Sequence, residues 1–81
     1  MFMDSKRYWA SALNDSEYFD DLQECIKYAA GLCKRMVDEG FKKSSCHVSI
    51  FDNAYGTLIG FVYVSRANWI RIDVNYNYLD L

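Results

Sequence analysis

The chain has 81 residues and a formal net charge of −2, and 52% of its residues are hydrophobic. This length predicts one domain, residues 1–81, and the apolar content excludes an intrinsically disordered chain. The slight acidity argues against direct nucleic-acid binding, because proteins that bind nucleic acids usually carry a basic field.

The cysteines and the apolar runs bear on location. Three cysteines are an odd number, whereas a small secreted disulfide scaffold usually has an even and denser set. No apolar run approaches the roughly 20 residues that span a membrane. The first residues, Met1-Phe2-Met3-Asp4, lack the apolar segment of a signal peptide. We therefore expect a cytoplasmic protein with free thiols and no membrane partner.

The first candidate element lies within residues 5–13, and two structures fit it. Alternation favours a short strand with Tyr8, Ala10 and Ala12 on one face. The rival is a helix over the same residues, because lysine, arginine, alanine and leucine are good helix formers. Residues 14–16, Asn-Asp-Ser, are typical of a turn.

An amphipathic helix from about Asp21 to Glu39 is the clearest prediction. Its apolar residues recur at spacings of three and four: Leu22, Cys25, Ile26, Ala29, Cys33, Met36 and Val37. Asp20 is the predicted N-cap, and Gly40 stands where a left-handed residue commonly ends a helix. A glycine inside a helix costs about 1 kcal/mol relative to alanine, and a close approach to another backbone is one explanation for Gly31.

The second half of the chain predicts three strands. Residues 46–51 alternate in polarity, residues 57–64 are nearly all apolar, and residues 69–76 alternate again. Turn-forming residues at 52–56 and 65–68 separate these strands. In the middle strand, alternation places Leu58, Val62 and Val64 on one face and Ile59, Phe61 and Tyr63 on the other.

These elements predict an α+β fold with the order β-α-β-β-β. One main amphipathic helix would pack on an antiparallel sheet of three to four strands, with residues 57–64 inside the sheet and at least partly covered on both sides. If the helix covers one face of the sheet, the other face is left with Phe51, Ile59, Phe61, Tyr63 and, at the start of the last strand, Trp69. An exposed apolar patch of that kind usually marks an interface.

Few residues could support catalysis or bind a metal. Cys25 and Cys33 are about 12 Å apart along the helix axis, whereas two thiolates on one zinc lie within about 4 Å of each other. Cys46 and His47 are neighbours in a strand and point to opposite faces, which argues against a thiolate–imidazolium pair. The glycines are isolated, so the sequence has no phosphate-binding loop. We therefore expect no enzyme activity and no metal or cofactor.

An acidic run at the helix start is the first candidate for binding a partner. It comprises Asp15, Glu17, Asp20, Asp21 and Glu24, with no base among them. Acids at a helix N-terminus meet the positive end of the helix dipole, which explains the last three without a partner. The first two are not needed there, and a wider acidic patch would attract a basic protein surface. Tyr55 and Trp69 are the aromatic candidates, because both residue types are enriched in binding hot spots.

Three segments together resemble a layout common in small phage and mobile-element proteins. They are Tyr8-Trp9-Ala10-Ser11-Ala12-Leu13, the acidic helix start at residues 17–29, and the hairpin around Tyr55-Gly56. Several anti-CRISPR proteins are similar in size, acidity and α+β organisation. The resemblance covers most of the chain as a general pattern and has no diagnostic motif, so it assigns no functional residue.

The resemblance implies a non-enzymatic inhibitor that works in the host cytoplasm. Its partner would be a protein complex of a bacterial defence system, such as a CRISPR effector, which it would block without catalysis. The alternative is a small structural or regulatory subunit that forms a homodimer through its sheet. Reversing the charges of Asp20, Asp21 and Glu24 is expected to weaken binding to a basic partner and leave the fold intact.

Overall fold

The computed structural model describes residues 6–12 and 15–75, which form one helix and one sheet. The helix α1 is Leu22–Asp38, and the strands are β1 (Tyr8–Ser11), β2 (Ser16–Phe19), β3 (His47–Asp52), β4 (Thr57–Val64) and β5 (Ile70–Val74). A single 3-10 turn, Lys43–Ser45, precedes β3. The sheet order is β2-β1-β3-β4-β5, and every neighbouring pair is antiparallel. The predicted α+β class is confirmed.

The sheet has one strand more than the predicted three to four. Residues 8–11 form a strand, not the rival helix, and β2 turns back to pair with it, so that Tyr8 lies opposite Phe19. The sequence prediction has no strand at β2, because four residues are too few to show a period and three of them are exposed. Leu13 and Asn14, which belong to the predicted first element and turn, lie outside the described residues.

The helix α1 begins one residue later than its predicted cap implies. Asp21, not Asp20, is the N-cap, and its carboxylate accepts a hydrogen bond from the Gln23 backbone N–H at 3.3 Å. This bond satisfies one of the amide groups that have no partner in the first turn of a helix. The triple charge reversal would therefore remove a helix cap as well as charge, at a cost of about 0.5–2 kcal/mol, so it does not test the charges alone.

The C-terminal end of α1 has the predicted left-handed glycine. Gly40 has a φ of +92°, and its N–H donates to the Val37 carbonyl at 3.0 Å. The Phe41 N–H donates to the Met36 carbonyl at 3.1 Å. These two bonds form a Schellman motif, which satisfies carbonyl groups at the end of the helix and turns the chain towards β3.

A bulge in β4 exchanges two predicted side-chain positions. Ile50 lies opposite Gly60, whereas Phe51 lies opposite Leu58, so β4 contains one extra residue between these pairs. As a result Ile59 is buried in the core and Leu58 is exposed on the other face, the reverse of the prediction. A strict two-residue period cannot anticipate an inserted residue.

The close backbone approach suggested for Gly31 occurs at Gly60. A Cβ atom built on Gly31 would meet nothing within 4 Å, because this residue faces solvent. A Cβ atom on Gly60 would lie 2.7 Å from the Cα of Val74 on β5 and would also collide with the Asp73 carbonyl oxygen. The explanation suggested for Gly31 is therefore wrong.

The hydrophobic core lies between α1 and one face of the sheet. Its buried residues are Tyr8, Ala10, Leu22, Cys25, Ile26, Ala29, Leu32, Cys33, Met36, Cys46, Val48, Ile50, Ile59 and Val62. Asp52, at the end of β3, is fully buried and forms an ion pair with Arg7. No helix among the described residues has both the length and the apolar character needed to cross a membrane.

Candidate interaction surface

The side of the sheet opposite α1 has no helix or strand packed over it among the described residues, and we call it the open face. Alternation and strand register place seven large side chains there: Trp9, Tyr18, Phe51, Leu58, Phe61, Tyr63 and Trp69. Five of the seven expose more than a third of their surface. The strand β4 therefore lies inside the sheet as predicted, but its outer side is uncovered in the described structure.

An aromatic row crosses the open face at one end. The Trp9 ring stacks on Tyr18 of β2 at 5.7 Å between centroids and on Phe51 of β3 at 4.8 Å. Leu58 of β4 continues the row opposite Phe51. Stacked aromatic pairs contribute about 0.5–1.5 kcal/mol beyond the burial of their area, so this row is a preformed, ordered surface.

The Trp9 indole contains an unusual buried polar group. Its Nε1–H is shielded from solvent and has no hydrogen-bond partner among the described residues. A buried donor without a partner costs about 1–3 kcal/mol.

The open face continues to its other end through Phe61, Tyr63 and Trp69. Trp69 precedes β5 and is 69% exposed, the largest exposure of any large hydrophobic residue in the described structure. An aromatic side chain buries about 150–250 Å² when fully covered, so the half-exposed residues of this face present several hundred Å² of apolar surface. That is the range in which the largest patch on a monomer is often functional.

The acidic run does not form one patch in the structure. Asp15 lies beside Arg35 near the C-terminal end of α1, with 3.6 Å between Oδ2 and Nη2. Asp20, Asp21 and Glu24 lie at the N-terminal end of this helix, and Glu24 precedes Arg35 by 11 residues, which is about 16 Å along the axis at 1.5 Å per residue. The strand β2 carries the chain between these two places, with Glu17 exposed on it.

Bases and backbone groups neutralise part of the acidic charge. Glu24 lies 3.9 Å from Lys27, and Asp21 caps the helix. Burial, followed by the negative charges of Asp15 and Glu17, raises the pKa of Tyr28. No base lies among these acids in the linear sequence, but in the folded chain Lys27 and Arg35 lie beside two of them.

The two aromatic candidates lie at opposite ends of the sheet. Tyr55 is in the loop between β3 and β4, with the Arg7 guanidinium 5.5 Å from its ring centroid. Trp69 is beyond the other end of β4, and this eight-residue strand spans about 26 Å. Of the predicted partner-binding residues, only Trp69 belongs to the open face.

Sequence reasoning found part of this face and missed the rest. Phe51, Phe61, Tyr63 and Trp69 lie where alternation predicted them. Tyr18 was missed with its strand, and Leu58 was assigned to the wrong side because of the bulge. The strand-favouring aromatic pair Tyr18-Phe19 beyond a turn signal was the available indication of a second strand.

The cysteines are placed as core residues. Burial raises the pKa of Cys25 to about 11, and burial followed by the neighbouring Cys46 raises the pKa of Cys33 to about 11. The Cys33 thiol donates to the Cys46 carbonyl at 3.1 Å, and the Cys46 thiol donates to the Lys42 carbonyl at 3.2 Å. Thiols that remain protonated are poor nucleophiles and poor metal ligands.

We expect these thiols to make the fold less stable at alkaline pH. Their folded pKa values of about 11 exceed the ordinary value of 9.0, so the protonated thiols stabilise the fold fully below pH 9. This contribution should be lost as pH rises through 11, by about 2 kcal/mol per thiol. The free energy of unfolding, measured with urea, should fall more steeply between pH 9 and pH 11 for the wild type than for a Cys25→Ala, Cys33→Ala variant. Equal declines would contradict the assignment.

The described residues offer little support for a metal site, a Cys–His pair or a ligand pocket. No group of three histidine, cysteine or acidic residues is close enough to hold a metal in the part of the chain that the structure describes. His47 is exposed on β3, and Cys46 beside it is buried. A groove of about 220 Å³ beside the end of α1 is crossed by the Asp15–Arg35 pair and is smaller than the 300–1,000 Å³ of typical ligand pockets.

The fold and this surface define a class: an α+β protein with one helix on a five-stranded antiparallel sheet whose second face presents aromatic residues. No family model matches the chain, and no curated protein or solved structure matches it significantly.

Proposed function

We propose that this protein is a non-enzymatic binding protein that attaches to another protein through its open face. The observation that supports this proposal is the contiguous set of aromatic side chains on a sheet face, several of them more than a third exposed. Tryptophan and tyrosine are enriched in interface hot spots because they bury large area with few rotatable bonds.

The charges on the open face favour recognition by shape and apolar burial over electrostatic attraction. Arg71 and Asp73 lie on it and carry one charge of each sign. His47 lies there too, on the other side of Tyr63 from Arg71. The acidic run lies elsewhere, with Glu17 on β2, Asp15 beside Arg35 and the other three acids at the start of α1. We therefore expect binding to depend weakly on salt, in contrast to the acidic-patch hypothesis.

A finer proposal names the partner as a bacterial defence complex, such as a CRISPR effector, that this protein blocks in the host cytoplasm. Its support is the resemblance in size, acidity and layout to anti-CRISPR proteins. Steric blocking needs a rigid surface and no catalytic group. Three buried free cysteines agree with a reducing compartment.

Affinity capture with matched variants tests the binding surface. One variant carries Tyr63→Ala and Trp69→Ala, and the control carries Glu17→Lys and Asp20→Lys, which leave the Asp21 cap in place. We expect a host protein that the wild type and the acidic control both retain and that the aromatic variant loses. If the aromatic variant retains the host protein and the acidic control loses it, the binding surface is the acidic run and not the open face.

A phage plating assay tests the finer proposal. Expression of the wild type in cells with an active CRISPR effector should restore plating of a targeted phage, and the aromatic variant should not. Unchanged immunity would remove the defence-complex proposal and leave the binding proposal to the capture experiment. Under the alternative, a subunit that dimerises face to face, the aromatic variant would instead abolish a homodimer in sedimentation.

A further inference from the structure

The strand β5 lies at the edge of the described sheet. It pairs with β4, and no other described strand pairs with it. The Trp69 carbonyl accepts from the Ser65 N–H at 2.9 Å, and the Asn75 N–H donates to the Ile59 carbonyl at 2.8 Å, so residues 69 and 75 point towards β4. Because backbone direction alternates along a strand, Ile70, Ile72 and Val74 direct their N–H and C=O groups away from β4.

This edge lacks most of the features that usually prevent pairing. Proteins commonly protect exposed edges with proline, charged side chains (lysine above all), a bulge or a very short strand. β5 has five residues, Ile-Arg-Ile-Asp-Val, with no proline, lysine or bulge, and its two charges have opposite signs, so they can pair across a second strand. The other edge strand, β2, has four residues and carries Glu17 on its core side.

Ile72 lies on the core side of β5 but remains 50% exposed. The helix packs mainly across β1, β3 and β4 and less on β5, so Ile70 and Val74 are half-buried against the core whereas Ile72 between them is left exposed. An apolar side chain beside backbone groups that no described residue pairs with is the combination that a further strand would bury.

We propose that the protein forms a homodimer in which β5 pairs with β5 of a second copy, antiparallel about a two-fold axis at Ile72. In this register Ile72 lies opposite Ile72 of the second copy, and Ile70 lies opposite Val74. These are the residues whose backbone groups point outward, so each of these pairs exchanges both N–H···O bonds. The core-side contacts are apolar throughout.

The charges on β5 select this register. With the axis at Ile72, Arg71 of each copy lies opposite Asp73 of the other, on the open-face side. An axis at Arg71 would place two arginines opposite each other, and an axis at Asp73 would place two aspartates there. Like charges directly opposite each other destabilise a strand pair, and opposite charges stabilise it.

The dimer joins two five-stranded sheets into one continuous sheet. Both open faces lie on the same side of it, because strand pairing preserves the side of each face. The face proposed to bind a partner stays uncovered, so dimerisation is independent of that proposal and would present two copies of the surface together.

Sedimentation of the full chain at micromolar concentrations tests the dimer. We expect a species of twice the 9.5 kDa chain mass that dissociates on dilution. The amide protons of Ile70, Ile72 and Val74 should exchange more slowly with increasing concentration. A monomer throughout the range, or exchange at these amides that does not depend on concentration, would overturn the proposal.

Charge exchange tests the register. Arg71→Asp and Asp73→Arg each place like charges opposite each other at both pairs and should weaken dimerisation about tenfold or more. The double variant restores opposite charges and should dimerise like the wild type. Mixing the two single variants should produce a heterodimer, since each supplies the charge that the other lacks.

Arg66→Glu is the matched control, because it changes the charge as Arg71→Asp does but lies in the turn between β4 and β5. Circular dichroism checks that every variant is folded. Dimers that persist in both single variants, or a double variant that stays monomeric, would contradict this interface. A dimer lost only in the Tyr63→Ala, Trp69→Ala variant would assign dimerisation to the open face instead.

Discussion

Replacing Gly60 by alanine should destabilise the protein by about 3 kcal/mol or more, a large part of the total stability of a domain of this size. The added Cβ would lie 2.7 Å from the Val74 Cα and against the Asp73 carbonyl oxygen. Both are backbone atoms of the paired strand β5, so the collision can be relieved only by moving the strands apart. We expect a fall in melting temperature of about 15 °C or more.

Gly31→Ala is the control for this prediction. Gly31 lies in the middle of α1, and a Cβ there would meet nothing within 4 Å. Alanine should therefore stabilise the protein by up to about 1 kcal/mol, because it favours the helix and restricts the unfolded chain. Thermal unfolding followed by circular dichroism measures both changes. A Gly60→Ala protein as stable as the wild type would contradict the close contact between β4 and β5.

Removing the Arg7 guanidinium should destabilise the protein by about 3–5 kcal/mol, because a buried carboxylate loses its counter-charge. The Arg7 Nε and Nη2 atoms bind the two Asp52 oxygens at 3.0 and 2.9 Å. The Asp52 side chain is fully buried, whereas that of Arg7 is 38% exposed. Arg7→Met should therefore be more harmful than Asp52→Asn, which leaves a cation that water can reach. Urea unfolding of each variant measures this order.

A double-mutant cycle measures the coupling between Arg7 and Asp52, and an exposed ion pair serves as the control. The coupling energy between Arg7→Met and Asp52→Asn should exceed about 1 kcal/mol. Lys34→Met removes an exposed ion pair of similar length, 3.1 Å to Asp38, and should cost less than about 0.5 kcal/mol. Similar effects for Arg7→Met and Lys34→Met would show that burial does not strengthen the first pair.

The Arg7–Asp52 pair joins distant parts of the chain. It links the residue before β1 to the last residue of β3, where Tyr8 lies opposite Asp52. Sequence analysis did not identify it, because neither residue type indicates a partner 45 positions away. The Asp52 carboxylate also accepts from the Ala54 N–H at 2.9 Å, so the same group orders the turn that follows.

Local patterns predicted the helix and its end well. The spacing of three and four found six of the seven buried positions of α1, missing Leu32, and Gly40 marked the Schellman motif. The cap at Asp21 was missed by one residue. Asp20 and Asp21 are equally good capping residues, and the backbone angles that separate them depend on where β2 ends.

Only part of the candidate surface could be predicted from the sequence. Alternation placed Phe51, Phe61 and Tyr63 on the side away from the helix, as the structure confirms. The acidic run was adjacent in sequence but is divided in space, because β2 intervenes between Asp15 and Asp20. Linear proximity predicts a patch only when a single element carries all the residues.

The amphipathic helix, the fold class and the existence of a second apolar face on the sheet were determined by the sequence itself. They depend on periodicities that each segment carries alone. Only the tertiary structure decided the pairing of β1 with β2 and β3, the bulge that buries Ile59, the close contact at Gly60 and the exposure of Ile72 on the core side of β5. These features arise from contacts between segments that are separated in the chain, and no local pattern contains the register in which two strands meet.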